Sequence, residues 1–144
     1  MKMVDVGGKE RTERVAVATA RLRMQPETVA RIREGRVEKG DVLAAARLAG
    51  VMATKRTPDL IPLCHPIAIT GVTMEVSLDE AGVSVRAEVK TLDRTGVEME
   101  ALTAAAAAAL TVYDMVKSVD RGMVIESLQL EHKAGGRTGT WNRG

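Results

Sequence analysis

One segment constrains this chain more than any other. From Ala101 the sequence reads Ala-Leu-Thr, six consecutive alanines, then Leu-Thr-Val-Tyr, Asp114, Met-Val, Lys117, Ser-Val. Alanine favours helix and no breaker interrupts the run, so one long helix is expected over about 97–119. That helix is apolar on every side and should therefore be covered on every side. In a chain of 144 residues one sheet covers one face; another helix or a second subunit must cover the rest. Asp114 and Lys117 are the only charges along this stretch, and their i, i+3 spacing sets them side by side. Read as an ordinary structural pair they would add little, because desolvating two charges can exceed their attraction. Read functionally, a carboxylate beside an ammonium in a partly dry pocket exchanges protons with a ligand. The second reading is favoured.

The remaining periodicity supplies partners for that helix. Residues 14–24 alternate small apolar with bulky or charged side chains, as a strand does. Pro26 suits the first position of a short helix that Gly35 closes. Asp41 can cap a second helix reaching about Lys55. Strands are expected at about 67–78 and 83–92, joined by the turn Asp79-Glu80-Ala81-Gly82, and at about 123–132. The order β-α-α-β-β-α-β, less one helix, is the split β-α-β arrangement: an α+β, ferredoxin-like antiparallel sheet with helices packed on one face. The whole chain, 1–144, reads as one domain with a flexible Gly-rich tail from about 134.

Composition excludes several classes. Cys64 is the single cysteine, so neither an internal disulfide nor a cysteine-based metal cage can form. A net charge of +2 is far from the excess of a general nucleic-acid binder, and one Tyr and one Trp without any Phe cannot build a base-stacking platform. No run approaches the roughly 18 consecutive apolar residues of a membrane span, and the charged first twenty residues lack a signal-peptide core. A cytoplasmic protein without membrane or nucleic-acid partners is expected.

Two further segments break the pattern of a passive scaffold. Lys55-Arg56-Thr57-Pro58-Asp59-Leu60-Ile61-Pro62-Leu63-Cys64-His65-Pro66 holds three of the four prolines, which should restrain Thr57, Ile61 and His65 to extended geometry. Adjacent residues of an extended chain point to opposite sides, so Cys64 and His65 are badly placed as a nucleophile–base dyad. Cys64 reads more naturally as a small buried hydrophobe, and His65 as a loop histidine, a ligand contact or a proton carrier. At the start of the long helix, Glu98 and Glu100 are ordinary helix-dipole partners or acceptors for the N–H edge of a base. Lys39, Lys133 and Arg137, with Lys55, Arg56 and Lys117, are either solvated surface charges or a divided cradle for a polyphosphate. Gly7-Gly8-Lys9 lacks the spacing of a P-loop.

Lys39-Gly40-Asp41-Val42, Ala53-Thr54-Lys55-Arg56-Thr57, Asp59-Leu60-Ile61-Pro62-Leu63-Cys64-His65-Pro66, Thr95-Gly96-Val97-Glu98-Met99-Glu100-Ala101-Leu102-Thr103 and Tyr113-Asp114-Met115 with Lys117 closely resemble the cyclic pyranopterin monophosphate synthase family, MoaC, of molybdenum cofactor biosynthesis. The likeness runs from Met3 to Gly136. It implies a lyase acting on 3′,8-cyclo-7,8-dihydroguanosine 5′-triphosphate, giving cyclic pyranopterin monophosphate and diphosphate. It also implies a ferredoxin-like homo-oligomer, a hexamer of dimers (trimer of dimers), with active sites at subunit interfaces. By motif, Asp114 and Lys117 would be the acid–base pair with Lys39 close to the chemistry. Leu63, Cys64, His65, Glu98, Met99 and Glu100 would line the substrate pocket, and Lys133 and Arg137 would meet phosphate. No cofactor is required. Mg²⁺ can accompany the substrate phosphates, although no Asp/Glu cluster reads as a dedicated site. Departures from the family pattern are small: Val116, Ala134 and Arg137 stand where Cys, Ser and Lys are frequent. A non-catalytic nucleotide-binding module of the same fold is the alternative, and a purely structural oligomer would explain the alanine helix alone.

Overall fold

The expected hairpin forms because Asp79 turns the chain back on itself. Its Oδ1 accepts hydrogen bonds from the backbone N–H groups of Ala81 (2.8 Å) and Gly82 (3.0 Å). In the computed structural model, which describes residues 1–137 and 139–144, the regular elements are nine. They are β1 (Thr12–Arg23), α1 (Pro26–Arg33), α2 (Val42–Thr54), α3 (Thr57–Leu60), β2 (Ile69–Leu78), β3 (Gly82–Asp93), α4 (Glu98–Val116), β4 (Val124–Ala134) and β5 (Trp141–Asn142). The strands form one antiparallel sheet in the order β2-β3-β1-β4-β5, so the split β-α-β arrangement is present.

The alternation along β1 sends Ala16, Ala18, Ala20 and Leu22 to the helical side, where Val83, Val85, Ala87 and Val89 of β3 join them in the core. The opposite face is polar. There Arg21 holds Asp79 through two contacts of 2.7 and 2.8 Å, which keeps the Asp79 carboxyl down at about 2. Helix α4 lies over β1 and β3, with α2 packed along its flank. Ala101, Ala104, Ala105, Ala108, Ala109, Val112 and Val116 are buried at helical spacing. Gly50 of α2 meets this surface: a Cβ there would stand 3.3 Å from the Ala104 carbonyl and 2.3 Å from the Met74 methyl. By length and mean hydropathy α4 could cross a bilayer, yet half of it is buried inside the fold.

Helix α2 covers one flank of α4, but Leu110 remains 58% exposed, so this chain alone does not cover the alanine helix on every side. Two expectations need correction. Thr57, expected extended before Pro58, instead opens the four-residue α3. Proline is tolerated in a first turn because that N–H has no helical partner, and the Thr57 hydroxyl donates back to the Ala53 carbonyl (2.9 Å). Finally, the tail expected to be flexible contains β5, paired to the end of β4. Thr138, within that tail, lies outside the described residues.

Candidate active site

The three residues expected at the chemistry come together. Lys39, in the turn before α2, and Lys117, at the C-terminal end of α4, each reach the Asp114 carboxylate at 3.0 Å, one to each oxygen. Lys39 Nζ also donates to the Asp114 carbonyl (3.3 Å). The hydrogen bond from Lys117, then that from Lys39, lowers the Asp114 carboxyl below its ordinary range. A carboxylate bridging two ammonium groups can accept one proton while either lysine delivers another. The dry setting expected from sequence is absent within one chain: the three side chains are 41–55% exposed.

A second constellation surrounds a cavity of about 1090 Å³. The N-terminal segment, the start of β1, the proline-rich loop, the start of α4 and the end of β4 enclose it. Leu63, Cys64, His65, Glu98, Met99, Lys133 and Arg137 all line it. Lys133 reaches across to Glu98, Nζ to Oε1 3.3 Å. Cys64 and His65 diverge, as an extended chain requires. Cys64 turns toward Glu100, Sγ to Oε2 3.7 Å, whereas His65 Nε2 contacts the Val4 carbonyl. Burial, reinforced by the nearby Glu100 carboxyl, pushes the Cys64 thiol up to about 11, which favours the neutral thiol over the thiolate. Glu100 does not line the cavity. It is 1% exposed beneath the lining, its own carboxyl raised by burial, and its Oε1 has no hydrogen-bond partner among the described residues.

The two constellations occupy opposite ends of α4. Sixteen residues separate Glu98 from Asp114, about 24 Å at the helical rise. Lys55 and Arg56, weighed as phosphate contacts, line neither group; Arg56 instead pairs with Asp59 at 3.6 Å.

Residues 3–136 match the model of the MoaC family. The chain belongs to the MoaC family. Among curated relatives, cyclic pyranopterin monophosphate synthase of Thermomicrobium roseum is 60% identical, over 99% of this chain and 87% of that one. The proteins of the same name from Brevibacillus brevis and Streptomyces avermitilis are 54% and 55% identical, over 99% of this chain and 90% and 84% of theirs.

This MoaC chain also places at the cavity two cations that sequence reasoning did not single out. Lys9 follows two glycines without a P-loop, and Arg14 looks like one charge among many along a strand. The signal for Arg14 lies far away in sequence, at Gly135 and Gly136. A Cβ on Gly135 would stand 2.2 Å from the Glu13 carbonyl, and one on Gly136 would stand 2.2 Å from the Arg14 guanidinium. The glycine pair is shaped around Arg14, which donates to the carbonyls of Asp93 (3.4 Å) and Arg94 (3.3 Å). Four basic side chains, Lys9, Arg14, Lys133 and Arg137, thus face two acidic ones, Glu10 and Glu98.

Proposed function

We propose that this chain is a lyase of molybdenum cofactor biosynthesis that converts 3′,8-cyclo-7,8-dihydroguanosine 5′-triphosphate to cyclic pyranopterin monophosphate and diphosphate. The observation that carries the reading is the cavity, in which four cations flank a carboxylate at a helix start. Cations suit the triphosphate and the charge developing on the diphosphate leaving group. Glu98 suits the N–H edge of the base. The purine is opened by water and rebuilt as a pterin. A ribose hydroxyl then forms a bond to the α-phosphorus as the bond to the departing diphosphate breaks. Lys39, Asp114 and Lys117 handle the protons of these steps. No redox cofactor is invoked, and Mg²⁺ enters only with the substrate phosphates.

A catalytic trio about 24 Å from the substrate cavity cannot act on the same molecule within one chain. The reading therefore requires a composite site: the cavity of one protomer closed by the Lys39, Asp114 and Lys117 of its partner. Apolar side chains left open on the helices, Leu48 and Met52 of α2 and Leu110 of α4, support an assembly of this kind. It also supplies the missing cover for α4 and the dry setting for the trio. The assembly is a hexamer built as a trimer of dimers. The compartment is the cytoplasm, in accord with the single free cysteine.

The direct test is incubation of the purified protein with the cyclic dihydro-GTP intermediate, following diphosphate release and pterin formation together. Coupled appearance of both is expected. An intermediate that binds and survives would instead make the chain a nucleotide-binding module, and one that does not bind would overturn the reading of the cavity.

A further inference from the structure

The C-terminal strand is too small to matter to the core and too well attached to be a loose end. Trp141 pairs with Lys133 and Asn142 with His132. One residue on, the Arg143 N–H donates to the Glu131 carbonyl (2.9 Å), and its Nε donates to the Leu130 carbonyl (2.7 Å). The Arg143 guanidinium stands 5.5 Å above the Trp141 ring, and His132 Nδ1 lies 2.6 Å from Asn142 Oδ1. Of these residues only Leu130 packs against the hydrophobic core, and none belonging to β5 does.

We propose that β5 is a clasp that positions Lys133 and Arg137 at the cavity. The inference rests on the reading of that cavity as a phosphate site. Lys133 is gripped from both sides, by Ala16 of β1 and by Trp141 of β5. Beyond it the chain passes through Gly135 and Gly136, at φ +98° and +74°, a course glycine takes readily and that lays the backbone against Glu13 and Arg14. The pairing of Trp141 and Asn142 holds the chain on the far side of Arg137. Arg137 lies between the glycine pair and the clasp, and no described side chain holds it by hydrogen bond or ion pair. Its placement is therefore inherited from the backbone on either side. A long side chain costs more conformational entropy to immobilise on a ligand when its backbone also wanders. Trp141 and Arg143 are positioning residues in this scheme, acting through Lys133 and Arg137.

The test compares the full chain with a chain ending at Thr140, an Arg143→Ala variant and a Trp141→Phe variant. Two readouts are used: turnover of the cyclic dihydro-GTP intermediate, and calorimetric binding of inorganic tripolyphosphate. For the shortened chain, KM and the tripolyphosphate dissociation constant should both rise about tenfold, with kcat changed less than about twofold. Melting temperature and oligomer size should not move. Arg143→Ala should give part of the effect, and Trp141→Phe, which keeps an aromatic ring under Arg143, should behave as wild type. Unchanged KM and tripolyphosphate affinity in the shortened chain would overturn the clasp, as would a fall in kcat together with melting temperature. Absence of turnover in the full chain would count against the lyase reading alone, because the tripolyphosphate comparison still decides the clasp.

Discussion

Cys64 Sγ lies 3.7 Å from Glu100 Oε2, at the point where the proline-rich loop meets the first turn of α4. The contact ties a half-buried thiol to a carboxyl that is only 1% exposed. Both groups favour their neutral forms there, the thiol first through burial and then through Glu100, the carboxyl through burial. The pair therefore adds no charge to the cavity wall, where Cys64 is the member that faces the opening and Glu100 lies beneath it.

Stability should depend on pH through Glu100. Its carboxyl is raised, so the folded chain keeps a proton that the unfolded chain has already released. Between the ordinary glutamate value and the raised one, stability therefore falls as pH rises. Glu100→Gln cannot lose that proton. Melting temperatures of both proteins, measured from about pH 4 to 8, should show the variant gaining on wild type as pH increases. A constant gap across that range would place the carboxyl at its ordinary value.

The Lys39–Asp114–Lys117 cluster lies outside the hydrophobic core of its own chain, with side chains 41–55% exposed there. Asp114→Asn and Lys117→Ala should therefore leave each protomer folded while lowering diphosphate release by about 10²-fold or more. Carbon-13 titration of Asp114 gives a separate check. Its carboxyl should move up toward the ordinary value in both lysine variants, and further in Lys117→Ala than in Lys39→Ala, since Lys117 is the stronger influence. Loss of fold in both variants would assign the cluster to structure.

A composite site predicts complementation. Asp114→Asn removes a residue near the C-terminal end of α4 and Lys133→Ala removes one on β4 that pairs with Glu98 at the helix start, and each homo-oligomer should be nearly inactive. If one protomer's cavity is completed by its partner's trio, a mixed dimer holds one intact site and one doubly damaged site. Unfolding and refolding an equal mixture should restore about a quarter of wild-type turnover, because half of the dimers are mixed and each has one good site of two. A mixture no more active than its parts would put the whole site within one chain.

Asp120 should prove structurally costly to remove. It is buried beyond the end of α4, and its Oδ2 accepts from the Gln25 N–H and from the Thr28 hydroxyl, both at 2.9 Å. It thus ties down the start of α1, whose own N-cap residue makes no side-chain hydrogen bond. Asp120→Ala leaves two donors unpaired and should cost about 2–3 kcal/mol in a denaturant titration. A change under about 0.5 kcal/mol would mean that water replaces the carboxylate without penalty.

What could be read in advance was what depends on neighbours in sequence. Asp41 caps α2 by accepting from the Ala44 N–H at 3.1 Å, and Gly35, at φ +69°, follows α1 as a helix-ending glycine should. The hairpin at Asp79 and the pairing of Asp114 with Lys117 are also short-range. What escaped depends on distant parts of the chain. The carboxylate that ties down the start of α1 comes from 92 residues away, as the Thr28 contact shows. The third member of the charged cluster, Lys39, is 75 residues from Asp114, and only the family resemblance pointed to it. The place of Arg14 at the cavity was written in Gly135 and Gly136, which by composition alone read as a flexible tail. Short β5 has too few residues for any alternation to announce it.

The alanine helix has a consequence for how the chain can change length. It joins the charged cluster to the cavity, and a helix fixes phase as well as distance. One residue inserted among the alanines would advance Asp114 and Lys117 by about 1.5 Å and swing them through about 100° relative to Glu98. A seven-residue insertion would nearly restore the phase but lengthen the rod by about 10 Å. The run from Ala104 to Ala109 is thus a gauge block as well as a packing surface, and it tolerates a change of side chain better than a change of count.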